Sequence, residues 1–181
     1  MSTSFTLVKD CTTTLIPAGD TVILEKGTTV TVTQALGNSI TVRTNLGLFR
    51  INENDISALG PEGKNLLKSD SQKSTEGPLN DEMIWTALRG CFDPEIPINI
   101  VDLGLIYDLD IADGTQGGKI VNVKMTLTAQ GCGMGPVIAA DAKAKIELLA
   151  GVESAEVSIV WEPIWNPRMI SEAGRKELGL E

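Results

Sequence analysis

The sequence contains no histidine. That absence removes Ser-His and Cys-His nucleophilic pairs, His-based zinc sites and imidazole proton relays together, and most hydrolase templates go with them. Cysteine is nearly as scarce, at three residues. Cys11, Cys91 and Cys132 are so widely spaced that no CxxC pair exists for a zinc ribbon or a thioredoxin-type redox site. An odd count leaves one thiol outside any intramolecular pairing, which fits a reducing compartment. Basic residues are also short, with 15 Lys and Arg against 24 Asp and Glu and a net charge of −9. Clustered cations are what neutralise phosphates, so nucleic acid is not an expected partner. No apolar run approaches the roughly 18 residues of a membrane span, and Met1 to Asp10 has neither the basic nor the apolar region of a signal peptide. The expectation is a cytoplasmic chain with no membrane association.

What is present is enough to build a core, since 42% of the 181 residues are apolar and 22% are charged. Residues 1–60 are rich in Thr, Val and Ile and are cut by turn signals at Pro17-Ala18-Gly19-Asp20, Gly37-Asn38 and Asn45-Leu46-Gly47. Val30 and Val32 alternate with Thr29, Thr31 and Thr33, and Ile40 and Val42 with Ser39, Thr41 and Arg43. This is the period of half-buried strands, and it predicts a small all-β module, barrel-like or sandwich-like. Residues 61–80, with Gly, Pro, Ser and Lys around few apolar positions, read as a linker.

Residues 81–181 hold nearly all of the acidic excess and have a mixed texture. Asn80 caps a helix in which Ile84, Ala87, Leu88 and Cys91 recur at helical spacing. Leu103 to Ile111 alternates as a strand, and Val121, Val123, Met125 and Leu127 face inward on a second strand, with Asn122, Lys124, Thr126 and Thr128 outward. Asp113-Gly114 makes the pair a hairpin. Pro136 starts a helix that Gly151 ends, Ala155, Val157, Ile159 and Trp161 alternate as a third strand, and Asn166-Pro167 opens a short helix to Glu177. The expected fold class is therefore α+β: an α-β-β-α-β-α domain whose three-stranded sheet is covered by helices, following the small β module.

Two segments carry chemistry. In Thr128-Ala129-Gln130-Gly131-Cys132-Gly133-Met134-Gly135-Pro136, glycines let the backbone approach a ligand between a strand end and a helix start. A cysteine in such a place ionises readily, and the thiolate is the species that ligates iron; a buried small cysteine in a tight turn is the plain alternative. In Asp93-Pro94-Glu95-Ile96-Pro97-Ile98-Asn99-Ile100-Val101-Asp102, Asp93, Glu95 and Asp102 either ligate a metal or partner, or cap a turn and face solvent. Cys91 reads as core, and Cys11 as either surface or core. Trp161 and Trp165 either close the core over a sheet end or, for an exposed Trp165, anchor a partner.

The strings CFDPEIPINIVDLGLIYDLDI (91–111), VKMTLTAQGCGMGPVI (123–138) and GVESAEVSIVWEPIWNPRMISEAGRKELGL (151–180) resemble the domain-of-unknown-function family 59, the MIP-type/PaaD-like domain of iron–sulfur protein maturation. The glycine-rich cysteine loop and the β module are similar to the SufT branch of that family more than to the PaaD branch. The resemblance implies a non-enzymatic accessory that helps deliver clusters to apo-proteins. It places Cys132 at the loop cysteine, Asp93, Pro94 and Glu95 at the acidic motif, and Thr128 at the threonine before the loop. Gln130 departs from the proline of many relatives. The site expected from residues and resemblance together is Cys132, Gly131, Gly133 and Thr128 around a transient iron–sulfur cluster, with Cys132, Glu95 and Asp93 as metal ligands. Clusters take about four protein ligands, mostly thiolates. Either a homodimer joins two Cys132 loops, or the domain is an adaptor between cluster scaffold or donor proteins and apo iron–sulfur proteins. A structural adaptor without metal and a PaaD-like subunit dedicated to one multicomponent enzyme are the alternatives.

Overall fold

The computed structural model describes residues 3–67 and 78–180, in two compact units, Met1–Gln72 and Lys73–Glu181. The first unit is built on β1 (Ser4–Thr6), β2 (Cys11–Ile16), β3 (Thr21–Leu24), β4 (Thr29–Leu36), β5 (Ser39–Thr44) and β6 (Gly47–Asn52). They form one antiparallel sheet in the order β1-β4-β5-β6-β2-β3. β-Branched residues suit a pleated, half-buried surface, and the buried threonines are accommodated by hydrogen bonding, as where Thr13 Oγ1 donates to the Val22 carbonyl at 2.7 Å. Val30, Ile40, Val42, Phe49 and Ile51 form the core with Leu7, Cys11 and Leu24, closed by Ile56, Ala58 and Leu59 of the 3-10 helix Glu53–Leu59.

The barrel-like expectation is corrected. Among the described residues no closed barrel is found: β1 and β3 end the sheet as edges and are only three and four residues long. Short edges are one way that sheets avoid further pairing. The front of the expected 61–80 linker also belongs to this unit: α1 (Gly60–Lys64) begins there, and Leu66 and Leu67 pack against the core. Residues 68–77 of that linker lie outside the described residues.

In the second unit, α2 (Asp81–Arg89) starts where Asn80 Oδ1 accepts from the Met83 amide at 3.0 Å, with Asp81 and Glu82 at the positive end of the helix. A three-stranded sheet follows, β7 (Ile106–Asp113), β8 (Lys119–Met125) and β9 (Val152–Ile159), in the order β7-β8-β9. β7 and β8 are antiparallel, while β8 and β9 are parallel and joined through α3 (Gly135–Glu147). Met83, Ile84 and Leu88 of α2, Ile138, Ala142 and Ile146 of α3, and Val121, Val123 and Met125 of β8 are buried. Lys145 of α3 is buried too, and its Nζ donates to the carbonyl of Gly90, the residue that ends α2. A cation there complements the negative end of α2.

The expected strand over 103–111 begins later. Asn99 Oδ1 accepts from the Val101 and Asp102 amides at 3.1 and 2.9 Å, the Leu103 amide donates to the Asn99 carbonyl, and Gly104 takes φ +72°. Leu103 and Leu105 are buried from a turn instead of from a strand. Thr126, expected outward, is buried just past the end of β8. The expected helix over 167–177 divides into a 3-10 turn, Pro167–Met169, and α4 (Glu172–Glu177), because Ile170 is extended and Ser171 caps α4 anew, accepting from the Gly174 amide at 3.0 Å.

This C-terminal segment is fastened to the Asn99–Tyr107 stretch. Ser171 Oγ donates to Asp102 Oδ1 at 2.7 Å, the Ser171 amide donates to the Asp102 carbonyl at 2.8 Å, and Trp165 Nε1 donates to the Leu103 carbonyl at 2.8 Å. A Cβ on Gly104 would collide with the Met169 carbonyl, and its φ is one that L-residues rarely adopt. Gly104→Ala is therefore expected to destabilise the protein by about 2–4 kcal/mol, from left-handed strain plus overpacking. A urea midpoint equal to that of the wild type would show that the segment yields at no cost.

Candidate functional site

The loop holding Cys132 leaves β8 after Met125 and ends at Gly135, where α3 begins. Both ends are fixed by packing. The Thr126 amide donates to the Leu105 carbonyl and the Val160 amide to the Met125 carbonyl, each at 2.8 Å. At the helix start, a Cβ on Gly135 would lie 2.5 Å from Leu127 Cδ1 and 3.2 Å from Ile159 Cδ1. A side chain there would require the ends of the Leu127 and Ile159 side chains to shift. Between these ends, Gly131 turns the chain with φ +82°, and the Gly135 amide donates to the Cys132 carbonyl at 3.2 Å. A Cβ at Gly131 would meet nothing, so this glycine serves backbone conformation and not a close protein contact.

Cys132 is half-buried with a free thiol, Gly133 and Thr128 are half-buried, and Gly131 is exposed. The other two cysteines are enclosed. Cys91 Sγ donates to the Ala87 carbonyl at 3.8 Å, and burial together with Asp55 pushes the Cys11 thiol up to about 11. Cys132 is thus the one of the three thiols that solvent and partners reach.

Because β8 and β9 are parallel with Met125 opposite Ile159, the Cys132 loop lies beyond their carboxyl ends. This is where ligands are met in open sheets with helical crossovers. β7 runs the other way, with Ile106 opposite Met125, so its entry from the Asn99–Leu105 turn reaches the same sheet end. The parallel pairing was not legible in the alternation patterns, although the strand-helix-strand order of 119–159 carried it.

The acidic motif divides by environment. Asp93 is 6% exposed, and its Oδ1 accepts from the Glu95 amide at 2.8 Å and the Ile96 amide at 3.2 Å. Burial raises its carboxyl above the usual range, against the lowering effect of those two amides. Glu95 is exposed. Asp102 is committed to Asn99, whose Nδ2 donates to Oδ2 at 2.6 Å, and to Ser171. Among the described residues, no group of three or more His, Cys, Asp or Glu side chains stands ready to hold a metal ion. Cys132, Asp93 and Glu95 do not make a three-ligand set within one chain.

Thr126 is 1% exposed, and its Oγ1 has no hydrogen-bond partner among the described residues. An unmet buried hydroxyl costs about 1–3 kcal/mol. Strand alternation placed this residue outward, so its burial was invisible in the sequence. Trp165 is held by its indole N–H, whereas Trp161 and Ile164 are exposed. In the first unit, an open cavity of 440 Å3 lined by Val8, Ser57, Gly60, Pro61 and Asn65 contains none of these residues. No helix among the described residues is long and apolar enough to cross a membrane.

Residues 81–159 match the family model described as "Iron-sulfur cluster assembly protein". An Fe-S protein maturation auxiliary factor of Porphyromonas gingivalis is 44% identical over 101 residues, which are 55% of this chain and 91% of that relative. The Fe-S protein maturation auxiliary factor SufT of Staphylococcus aureus is 40% identical over 88 residues, 49% of this chain and 96% of the relative. A crystal structure of a domain of unknown function, DUF59, from Bacillus anthracis is 30% identical, covers 55% of this chain and 92% of its own, and superposes with a TM-score of 0.47.

The Asp93 and Thr126 environments yield two expectations. With a folded pKa raised by burial, the Asp93 contribution to stability is fully present below its unfolded pKa and is lost as pH rises through the folded one. Asp93→Asn keeps the Oδ1 acceptor and should flatten that dependence in urea melts from acid to neutral pH. Asp93→Ala loses the acceptor and should cost about 1–2 kcal/mol at all pH values. Unchanged pH dependence in Asp93→Asn would remove Asp93 as the titrating group. Thr126→Val should raise stability by about 1 kcal/mol by deleting the orphan hydroxyl, and a loss would show that the hydroxyl is partnered in solution.

Proposed function

This chain belongs to the family of iron–sulfur cluster assembly proteins, and from that premise we propose that it is an accessory factor in iron–sulfur protein maturation, with Cys132 as a transient ligand to cluster cargo. The observation that carries the proposal is the placement of Cys132. It is the accessible thiol of the three, on a short glycine-turned loop beyond the carboxyl ends of two parallel strands. A maturation factor has to present a ligand to cargo in transit, and a thiolate is the ligand that iron–sulfur clusters take.

One thiolate is well short of the roughly four ligands that a cluster needs. The rest come from outside the chain: from a second copy in a homodimer that joins two Cys132 loops, from small thiols, or from the cluster donor and the apo-protein between which the cluster moves. Glu95 is exposed and free to add a carboxylate, while Asp93 is turned to the Glu95 and Ile96 amides and shapes the loop that presents Glu95. Gly131 gives the cysteine loop its turn, and Gly133 and Thr128 share that loop with Cys132, each half-buried. The partners in this reading are apo iron–sulfur proteins and cluster scaffold or donor proteins. The odd cysteine count suits the reducing cytoplasm. With no histidine, the chain has no imidazole general base, and a carrier or adaptor role needs none.

Cys132→Ser is expected to fold like the wild type, within about 0.5 kcal/mol because the residue is outside the core, and to abolish support of target maturation. The measurement is the activity of iron–sulfur enzymes in cells that depend on this protein, alongside anaerobic quantification of iron and acid-labile sulfide on both forms. Full target activity with Cys132→Ser would overturn the ligand role.

A further inference from the structure

The C-terminal segment after β9 is fastened along its length to the connections that frame the Cys132 loop. The Val160 amide donates to the Met125 carbonyl at 2.8 Å, and Trp165 Nε1 donates to the Leu103 carbonyl at 2.8 Å. Farther along, Ser171 meets Asp102 twice, through Oγ to Oδ1 at 2.7 Å and through its amide to the Asp102 carbonyl at 2.8 Å. The same Oγ accepts from the Gly174 amide at 3.0 Å, so one hydroxyl joins the Asp102 carboxylate to the start of α4. The approach is close, since a Cβ on Gly174 would lie 3.0 Å from the Asp102 carbonyl oxygen.

The other carboxylate oxygen of Asp102 accepts from Asn99 Nδ2 at 2.6 Å, and Asn99 Oδ1 accepts in turn from the Val101 and Asp102 amides. The 99–105 turn is thus closed on itself and clamped to the C-terminal segment. Its last carbonyl, that of Leu105, accepts from the Thr126 amide at 2.8 Å. Thr126 is where the Cys132 loop leaves the sheet. Its hydroxyl adds no hydrogen bond among the described residues, which leaves the amide to tie this residue to the turn. The next residue, Leu127, is buried, and its Cδ1 is the atom nearest to where a Cβ on Gly135 would stand at the far end of the loop. Thr126 and Leu127 therefore form the stem of the loop, in touch with both of its ends. A shift of the Leu105 carbonyl passes to this stem, and the half-buried thiol is carried between its ends.

We propose that Asp102 and Ser171 are positioning residues for Cys132, acting through the 99–105 turn and the Leu105–Thr126 hydrogen bond to keep the thiol half-buried on its loop. This rests on the maturation reading above, in which Cys132 is the group presented to cargo, and adds what fixes that presentation. Hydrogen bonds to a charged group are the stronger kind, and a polar network with its members satisfied is rigid.

The test is the anaerobic reaction of the full chain with an aromatic disulfide, which a thiolate attacks to give a mixed disulfide and a released aryl thiolate counted by its absorbance. Cys11 and Cys91 are buried, so the folded chain releases one equivalent, from Cys132, and an unfolded chain three. General loss of stability appears as extra equivalents, whereas a displaced loop appears as a changed rate of the first. Ser171→Ala is expected to raise that rate by about threefold or more, and Ser171→Thr, which keeps the hydroxyl, to stay within about 1.5-fold of the wild type. Trp165→Phe, which loses the N–H to the Leu103 carbonyl, should raise it in the same direction. Asn80→Ala, which removes the cap of α2 in the same unit, is the control for stability and should stay within about 1.5-fold. A wild-type or slower rate in folded Ser171→Ala, or in Trp165→Phe should Ser171→Ala not fold, would overturn the positioning role. So would an Asn80→Ala or Ser171→Thr rate raised as far as that of Ser171→Ala. Unchanged rates with Cys132-dependent maturation sink the positioning role alone, whereas maturation indifferent to Cys132→Ser sinks the maturation reading whatever the rates are.

Discussion

At the first residue of α3 a side chain would have to displace the ends of two others. A Cβ on Gly135 would sit 2.5 Å from Leu127 Cδ1 and 3.2 Å from Ile159 Cδ1, so glycine lets the helix start against these side-chain ends without their moving. From there the chain runs from strand to helix through residues 126–134 and returns along α3 to a parallel β9. The half-buried Cys132 lies three residues before this contact.

The second constraint is Asp102. It accepts from Asn99 Nδ2 with one carboxylate oxygen and from Ser171 Oγ with the other, and its carbonyl takes the Ser171 amide. Sequence reading offered Asp102 as a metal or partner ligand because it shares a loop with Asp93 and Glu95. Both of its oxygens are used in joining the C-terminal segment to the turn before β7. Hydrogen bonds to a charged group are the stronger ones, and here they fix the turn that carries Leu103 and Leu105 into the core and the segment that displays Trp161. Three connections therefore converge on one end of the sheet: the turn into β7, the loop out of β8 and the segment out of β9.

The parts of this architecture that were legible in the sequence are those encoded by short-range chemistry. Asn80 before an amphipathic run and alternation at Val121, Val123 and Met125 each specify an element through neighbours within a few residues, and each appears where those neighbours place it, whereas the helix expected to end at Gly151 stops at Glu147 with Leu148 as its cap. The misplaced features depend on distant residues. Thr126 obeys the alternation of β8 in sequence but lies past the strand end and is covered there. Leu103 and Leu105 keep a strand-like spacing inside a turn that Asn99 organises. The barrel expected of the first sixty residues needed pairing between β1 and β3, which no local pattern reports. The candidate site shows the same division. The glycine-rich loop and its cysteine stood out from residue type alone, whereas the roles of Asp93 and Asp102 appeared only once their amide and hydroxyl partners were known.

A single accessible thiol also bears on how long cargo could stay. A cluster held by four protein ligands is a stored cofactor, and releasing it means replacing every bond. A cluster that touches a chain through one cysteine alone exchanges one thiolate for another, and the neighbouring Gly131 is exposed with nothing near its Cα that would crowd such an exchange. Ligand exchange at one position is fast when the leaving thiolate is accessible, and it needs no unfolding of the carrier. On the proposed reading, the sparse ligand set favours transfer over storage.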